Sequence, residues 1–258
     1  MKPLTELDGQ AVRAVLFDID DTLTTAGKLT AAAYGALERL HAAGKRAVAV
    51  TGRPAGWCDH IARMWPVDAV VGENGAFYFR FAQGRLHKRY RDPPEVRAGN
   101  RERLARIAQD IVAAVPGCAV AADQAYRETD LAIDYCEDVP ALPLAAAERI
   151  AELMRRAGLH AKLSSIHVNG WFGDYDKLTM ARQLFVEQFA LDLDHSRPDV
   201  VYIGDSPNDA PMFEFFPQSV GVANIRRFAG ALTAAPKYVT GADCGAGFAE
   251  VVAHLLRA

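Results

Sequence analysis

The chain has 258 residues, 50% hydrophobic and 24% charged, the balance of an ordinary globular protein with room for a core domain and a smaller companion, which excludes disordered, collagen-like and coiled-coil chains. A net charge of −3 supplies no broad basic field for nucleic acid or acidic lipid, and the arginines of 85–91 and 97–106 read as solvated faces. Cys58, Cys118, Cys136 and Cys244 form no Cys-x-x-Cys pair, the first residues lack the apolar centre of an export signal and no run is long enough to span a bilayer, so a soluble, cytoplasmic protein without a zinc site or disulfide framework is expected.

Val12 to Phe17 is a nearly continuous apolar run, the pattern of a strand buried in a parallel sheet. It ends on Asp18-Ile19-Asp20-Asp21-Thr22. Thr30 to Ala43, closed by Gly44, predicts a helix; Arg46 to Val50 a strand ending in Thr51-Gly52-Arg53; Pro54 to Met64 a helix; and Val67 to Val71 a third strand. Such alternation is the signature of a parallel sheet flanked by helices. It breaks at Gly72-Glu73-Asn74-Gly75, after which Ala76 to Phe81 and Arg85 to Tyr90 flank Ala82-Gln83-Gly84 like an antiparallel hairpin that opens a different unit.

Within that unit, Leu104, Ile107, Ala108, Ile111, Val112 and Val115 form one helical stripe, and Leu144, Ala147, Ala151, Met154 and Ala157 a second. Strands are expected near 118–121 and 130–135, and again near His160 to Leu163 and Ser165 to Asn169. The core pattern resumes at Lys177, with a helix marked by Leu178, Ala181, Leu184, Phe185 and Phe189. A strand over Val200 to Ile203 follows, then short strands near 219–222 and 237–239 and a last helix over 248–256. The expected fold is therefore α/β, a Rossmann-like doubly wound parallel sheet from residues 1–79 and 171–258, with an inserted α+β cap over 80–170.

Four motifs carry chemistry. Open parallel sheets bind ligands beyond the carboxyl ends of their strands, and residues two apart in an extended chain face the same way, so Asp18 and Asp20 can converge on one ligand. Thr51 offers a hydroxyl and Gly52 a backbone amide suited to phosphate oxygens. Lys177 opens its helix as a fixed positive charge, and Gly204-Asp205-Ser206-Pro207-Asn208-Asp209 concentrates acids at another strand tip. Each alone also reads as a turn, a helix cap or a solvated lysine. Clustering Asp18, Asp20, Asp205 and Asp209 calls for a hard cation, Mg²⁺.

In this order, the four motifs resemble the haloacid dehalogenase superfamily of phosphohydrolases. The resemblance implies a nucleophile at Asp18, a general acid and base at Asp20, phosphate binding by Thr51, Gly52, Lys177 and Asn208, and Mg²⁺ held at Asp18, Asp20, Asp205 and Asp209. An aspartyl-phosphate intermediate is implied with them. Thr51 and Lys177 lie 126 positions apart, far more than the roughly 30 residues of a strand-helix-strand unit. An insertion there is similar to the type II caps of the superfamily, and its element order to the IIB subtype. That subtype includes Cof-like proteins, sucrose-phosphate and trehalose-phosphate phosphatases, phosphomannomutases and archaeal phosphoglycolate phosphatases. Asp21 departs from the pattern, since many relatives carry glycine there.

The expected reaction is Mg²⁺-dependent hydrolysis of a small phosphorylated metabolite, a sugar phosphate or a phosphoglycolate-like ester. Arg53, Asn74, Arg127, Glu128, His167 and Asn169 are the candidates for reading the rest of the substrate. A phosphomutase using the same intermediate, and a non-catalytic module that binds a phosphometabolite, are the competing readings. Neither nucleic acid nor membrane is expected as a partner, and the sequence leaves the oligomeric state open.

Overall fold

A computed structural model of the protein describes residues 1–164 and 166–257. Its core is a nine-stranded sheet, in spatial order β1 (Lys2–Pro3), β13 (Tyr238–Val239), β12 (Gln218–Gly221), β11 (Val200–Gly204), β2 (Ala14–Phe17), β3 (Arg46–Val50), β4 (Ala69–Gly72), β5 (Phe77–Ala82) and β6 (Arg85–Tyr90). From β1 to β4 every neighbouring pair is parallel. The chain winds outward from β2 through β3 to β4, then returns to β11 on the other side of β2. The β2/β11 boundary is thus the topological switch point, where such sheets open a crevice.

Strand alternation divides the core. Val15 and Phe17 of β2 face one layer, where they pack with Leu37 of α1 (Ala31–Ala42), Ile61 of α2 (Ala55–Met64) and Phe248 of α8 (Cys244–Leu255). Ala14 and Leu16 face the other, against Leu184 and Phe185 of α5 (Lys177–Phe189), Leu193 of α6 (Leu193–Ser196) and Phe213 of α7 (Ala210–Phe215). Burial on both faces explains why these strands are apolar throughout.

The hairpin at 77–90 departs from expectation. It does not open the inserted unit, because β5 pairs antiparallel with β4 and carries β6 at the sheet edge. Its alternation is the cause: Phe77 and Phe79 are buried in the layer of α2, while Tyr78 is buried in the opposite layer. A boundary at 79/80 would cut through β5.

The inserted unit is a four-stranded antiparallel sheet in the order β7 (Ala119–Val120), β8 (Asp130–Asp134), β10 (His167–Trp171), β9 (His160–Leu163). One face packs Leu131, Ile133 and Val168 against α3 (Pro94–Ala114) and α4 (Leu144–Arg156). Trp171 belongs to this sheet, opposite Asp130, so a boundary at 170/171 would cut β10. The predicted strand Ser165 to Asn169 begins later, at His167, and Ser165 itself lies outside the described residues. No helix among the described residues is long and apolar enough to cross a membrane.

Candidate active site

The crevice at the switch point is lined by carboxylates. Asp18 follows β2 and Asp205 follows β11, and both are buried. Carboxylate oxygens of Asp18, Asp205 and Asp209 lie within 4.8 Å of one another. One cation sits among them: Lys177 Nζ is 3.0 Å from Asp18 Oδ1 and 2.9 Å from Asp209 Oδ1. Lys177 is placed there as the first residue of α5, whose N-cap Asp176 accepts a hydrogen bond from Thr179 N–H.

Burial raises the Asp18 carboxyl to about 7, against the pull of Lys177. Burial also lifts Asp205 well above the carboxylate range, with Asp209 and Asp18 adding to it. For Lys177 burial works in the opposite sense, yet Asp18 and Asp209 more than offset it and hold the ammonium charged. Ionised together, three buried acids against one lysine would leave negative charge uncompensated, and oxygen-only donors of this kind fit Mg²⁺. Asp209 is the most committed of the three: Oδ1 accepts from Lys177 and Tyr202 Oη, and Oδ2 from the N–H groups of Asp205 and Ser206. A direct bond from Asp209 to an ion would displace one of these donors. Gly204 is required beside it, since a Cβ there would lie 2.5 Å from Asp209 Oδ2.

Thr51 follows β3, and its hydroxyl oxygen accepts from Arg53 N–H at 3.0 Å, which leaves the hydroxyl proton free to donate. Asn208 lies in the Pro207–Asp209 turn, its Oδ1 held by Ser206 Oγ at 2.7 Å. Gly52, Asn74 and Asn208 line the same crevice as Asp18, Asp20 and Asp205.

The Gly72-Glu73-Asn74-Gly75 turn joins both units. Glu73 is buried, and its carboxylate accepts from Ala55 N–H on α2 and from the N–H groups of Glu128, Thr129 and Asp130 in the cap. Burial, with Asp130 nearby, raises this carboxyl to about 7. Asn74 has φ +56° and a buried Nδ2 without a hydrogen-bond partner, at the crevice wall. Gly75 has φ +106°, and a Cβ there would lie 2.0 Å from Asp176 O, so only glycine lets the start of α5 approach.

The cap contributes its other sheet face. Asp130, Asp134, His167 and Asn169 alternate with the apolar residues of β8 and β10, so all four emerge together and are buried. His167 and Asn169 line the crevice, with Asn169 Nδ2 donating to Asp130 Oδ2 at 3.1 Å. Arg127 reaches the crevice already neutralised. It donates to Asp123 and Asp130 and to Gly52 O at 3.0 Å, which makes it a brace between cap and core. The side chain of Glu128 turns away to Arg97 and Arg101, so the expectation that it meets substrate is corrected.

Arg53 donates from Nε and Nη2 to Asp20 at 2.8–3.0 Å, and Nη2 also reaches Glu137 Oε1 at 3.0 Å. Glu137 was invisible in the sequence, because only the fold brings it from the end of β8 to a core residue 84 positions earlier. His167 Nε2 lies 2.9 Å from Glu137 Oε2, a polar contact rather than a formed hydrogen bond.

A doubly wound core with acids at its switch point and an antiparallel sheet set over them defines a capped, doubly wound α/β architecture. Residues 15–96 match the family described as haloacid dehalogenase-like hydrolase. No curated protein matches the sequence. Among solved structures, a protein of Thermoplasma acidophilum is 18% identical, with 95% of this chain and 98% of that one covered at a TM-score of 0.69. The sucrose-phosphatase of Synechocystis sp., solved with sucrose and phosphate, is 16% identical over 95% and 98% at 0.64. A subclass IIB sugar phosphatase of the same superfamily is 15% identical over 94% and 98% at 0.62. At these identities the likeness is one of fold, and it extends through the cap. The match over its first strands and the shared fold are what the chain has in common with haloacid dehalogenase-like hydrolases.

Proposed function

We propose that the chain is a Mg²⁺-dependent phosphomonoester hydrolase that acts on a small phosphorylated metabolite, of the sugar-phosphate or phosphoglycolate type, with Asp18 as nucleophile. The observation that carries this reading is the Asp18 carboxylate, buried at a strand tip with Lys177 Nζ at 3.0 Å and Asp205 beside it. An isolated carboxylate attacking a phosphate dianion is repelled, and this arrangement answers that repulsion.

Asp18, Asp205 and the backbone carbonyl of Asp20 would hold Mg²⁺, which when bound supplies positive charge on the phosphoryl oxygens. Lys177, fixed by Asp209, supplies a second positive charge. Thr51 and Gly52 donate to the phosphoryl oxygens, and Asn208 closes that cradle. Asp18 forms a bond to phosphorus as the bond to the leaving oxygen breaks, and Asp20 gives that oxygen a proton. Asp20 then takes a proton from the water that attacks the aspartyl phosphate, which releases phosphate and restores Asp18. The cap excludes bulk water and limits the substrate to a small molecule.

The test is phosphate release from sugar phosphates, phosphoglycolate, nucleotides and an aryl phosphate, with Mg²⁺ and again after chelation. Release from one or more esters that stops on chelation is expected. No release from any ester with Mg²⁺ present would end the reading.

A further inference from the structure

We infer that Glu137, a cap residue, is a positioning residue for the proton-delivering Asp20, acting through Arg53. This rests on the phosphatase reading above. Arg53 meets Asp20 as a fork: Nε is 3.0 Å from each carboxylate oxygen and Nη2 is 2.8 Å from Oδ1. A planar guanidinium bound this way fixes the orientation of the carboxyl group, and Oδ2, which meets only Nε, is the oxygen left to carry and release the proton.

The fork is held from the cap. Nη2 also donates to Glu137 Oε1 at 3.0 Å, while the face of the guanidinium lies 4.4 Å from the ring centroid of Trp57. Glu137 is aimed in turn by Asp134, whose buried carboxylate accepts from the N–H groups of Cys136, Glu137 and Asp138, each at 2.8 Å. A buried carboxylate spent on one turn is costly, and here it shapes the turn that presents Glu137. The series Asp20, Arg53, Glu137 starts in the core and ends in the cap. The Arg53–Glu137 link therefore forms only when the cap lies over the core, and it then steadies the guanidinium that orients Asp20.

Leaving groups separate this role from a structural one. An alkyl phosphate needs a proton on its departing oxygen, whereas a nitrophenyl phosphate does not. In Glu137→Gln, kcat/KM for the alkyl ester is expected to fall about tenfold or more, while that for the aryl ester stays within about threefold. Arg53→Lys should give the same asymmetry, and the double variant should be no worse than Arg53→Lys alone. Equal losses on both esters, no loss on either, or additive effects of the two substitutions would overturn the inference. If the wild-type protein hydrolyses neither ester, the phosphatase reading itself has failed.

Discussion

Lys177 is the residue on which the acidic crevice depends. Its ammonium is the shared partner of Asp18 and Asp209, all three being buried. Lys177→Met should abolish turnover and, by leaving buried carboxylates without their cation, cost about 3–5 kcal/mol in denaturant unfolding. Asp21, which carries no role in the proposed chemistry, has φ +55°, a left-handed conformation that glycine adopts without strain. Asp21→Gly should be neutral or stabilising by up to about 1 kcal/mol, read as a shift in thermal midpoint. Glu137 is held down to about 2, from 4.5, by contact with His167 and then by Arg53. A depressed carboxyl gives stability that is present above its unfolded value and lost as pH falls through the folded one. Unfolding of wild type and Glu137→Gln should therefore converge between about pH 4.5 and pH 2 and differ above it.

At the scale of elements, the strands over 14–17, 46–50 and 200–204 were legible because burial on both faces forces continuous apolar runs. The motifs at Asp18, Thr51 and Asp205 were legible for the same reason, since each follows such a run, whereas Lys177 was marked by the start of its helix. The hairpin over 77–90 was legible as a hairpin, but its partner was not, because alternation does not say which sheet receives it. Short helices over 193–196 and 210–215 gave no periodic signal in so few residues. On β8 and β10 a signal existed: Asp130, Asp134, His167 and Asn169 alternate with apolar neighbours, which marks one polar face of a cap sheet. Glu137 and the commitments of Arg127 depend on contacts between distant segments and had no local trace. The Gly75 turn is where element packing is least forgiving. Gly75→Ala brings a Cβ against Asp176 O at positive φ, and should displace the start of α5 with a loss of about 2–4 kcal/mol and of most activity.

At the scale of the whole molecule, the core supplies the proposed phosphoryl chemistry and the cap supplies the roof, the Arg127 brace and the Glu137 contact. Glu73 and Arg127 fasten the two units on one side of the crevice, while Arg53 and Glu137 meet across it. The proposed chemistry stands on Asp18 as the oxygen nucleophile at phosphorus. The direct measurement is phosphate release by Asp18→Asn beside the wild-type protein, on a phosphomonoester the wild type cleaves and with Mg²⁺ present. Removing the nucleophile should lower turnover by about a thousandfold or more while the variant remains folded. Turnover by a folded Asp18→Asn variant at the wild-type rate would contradict it.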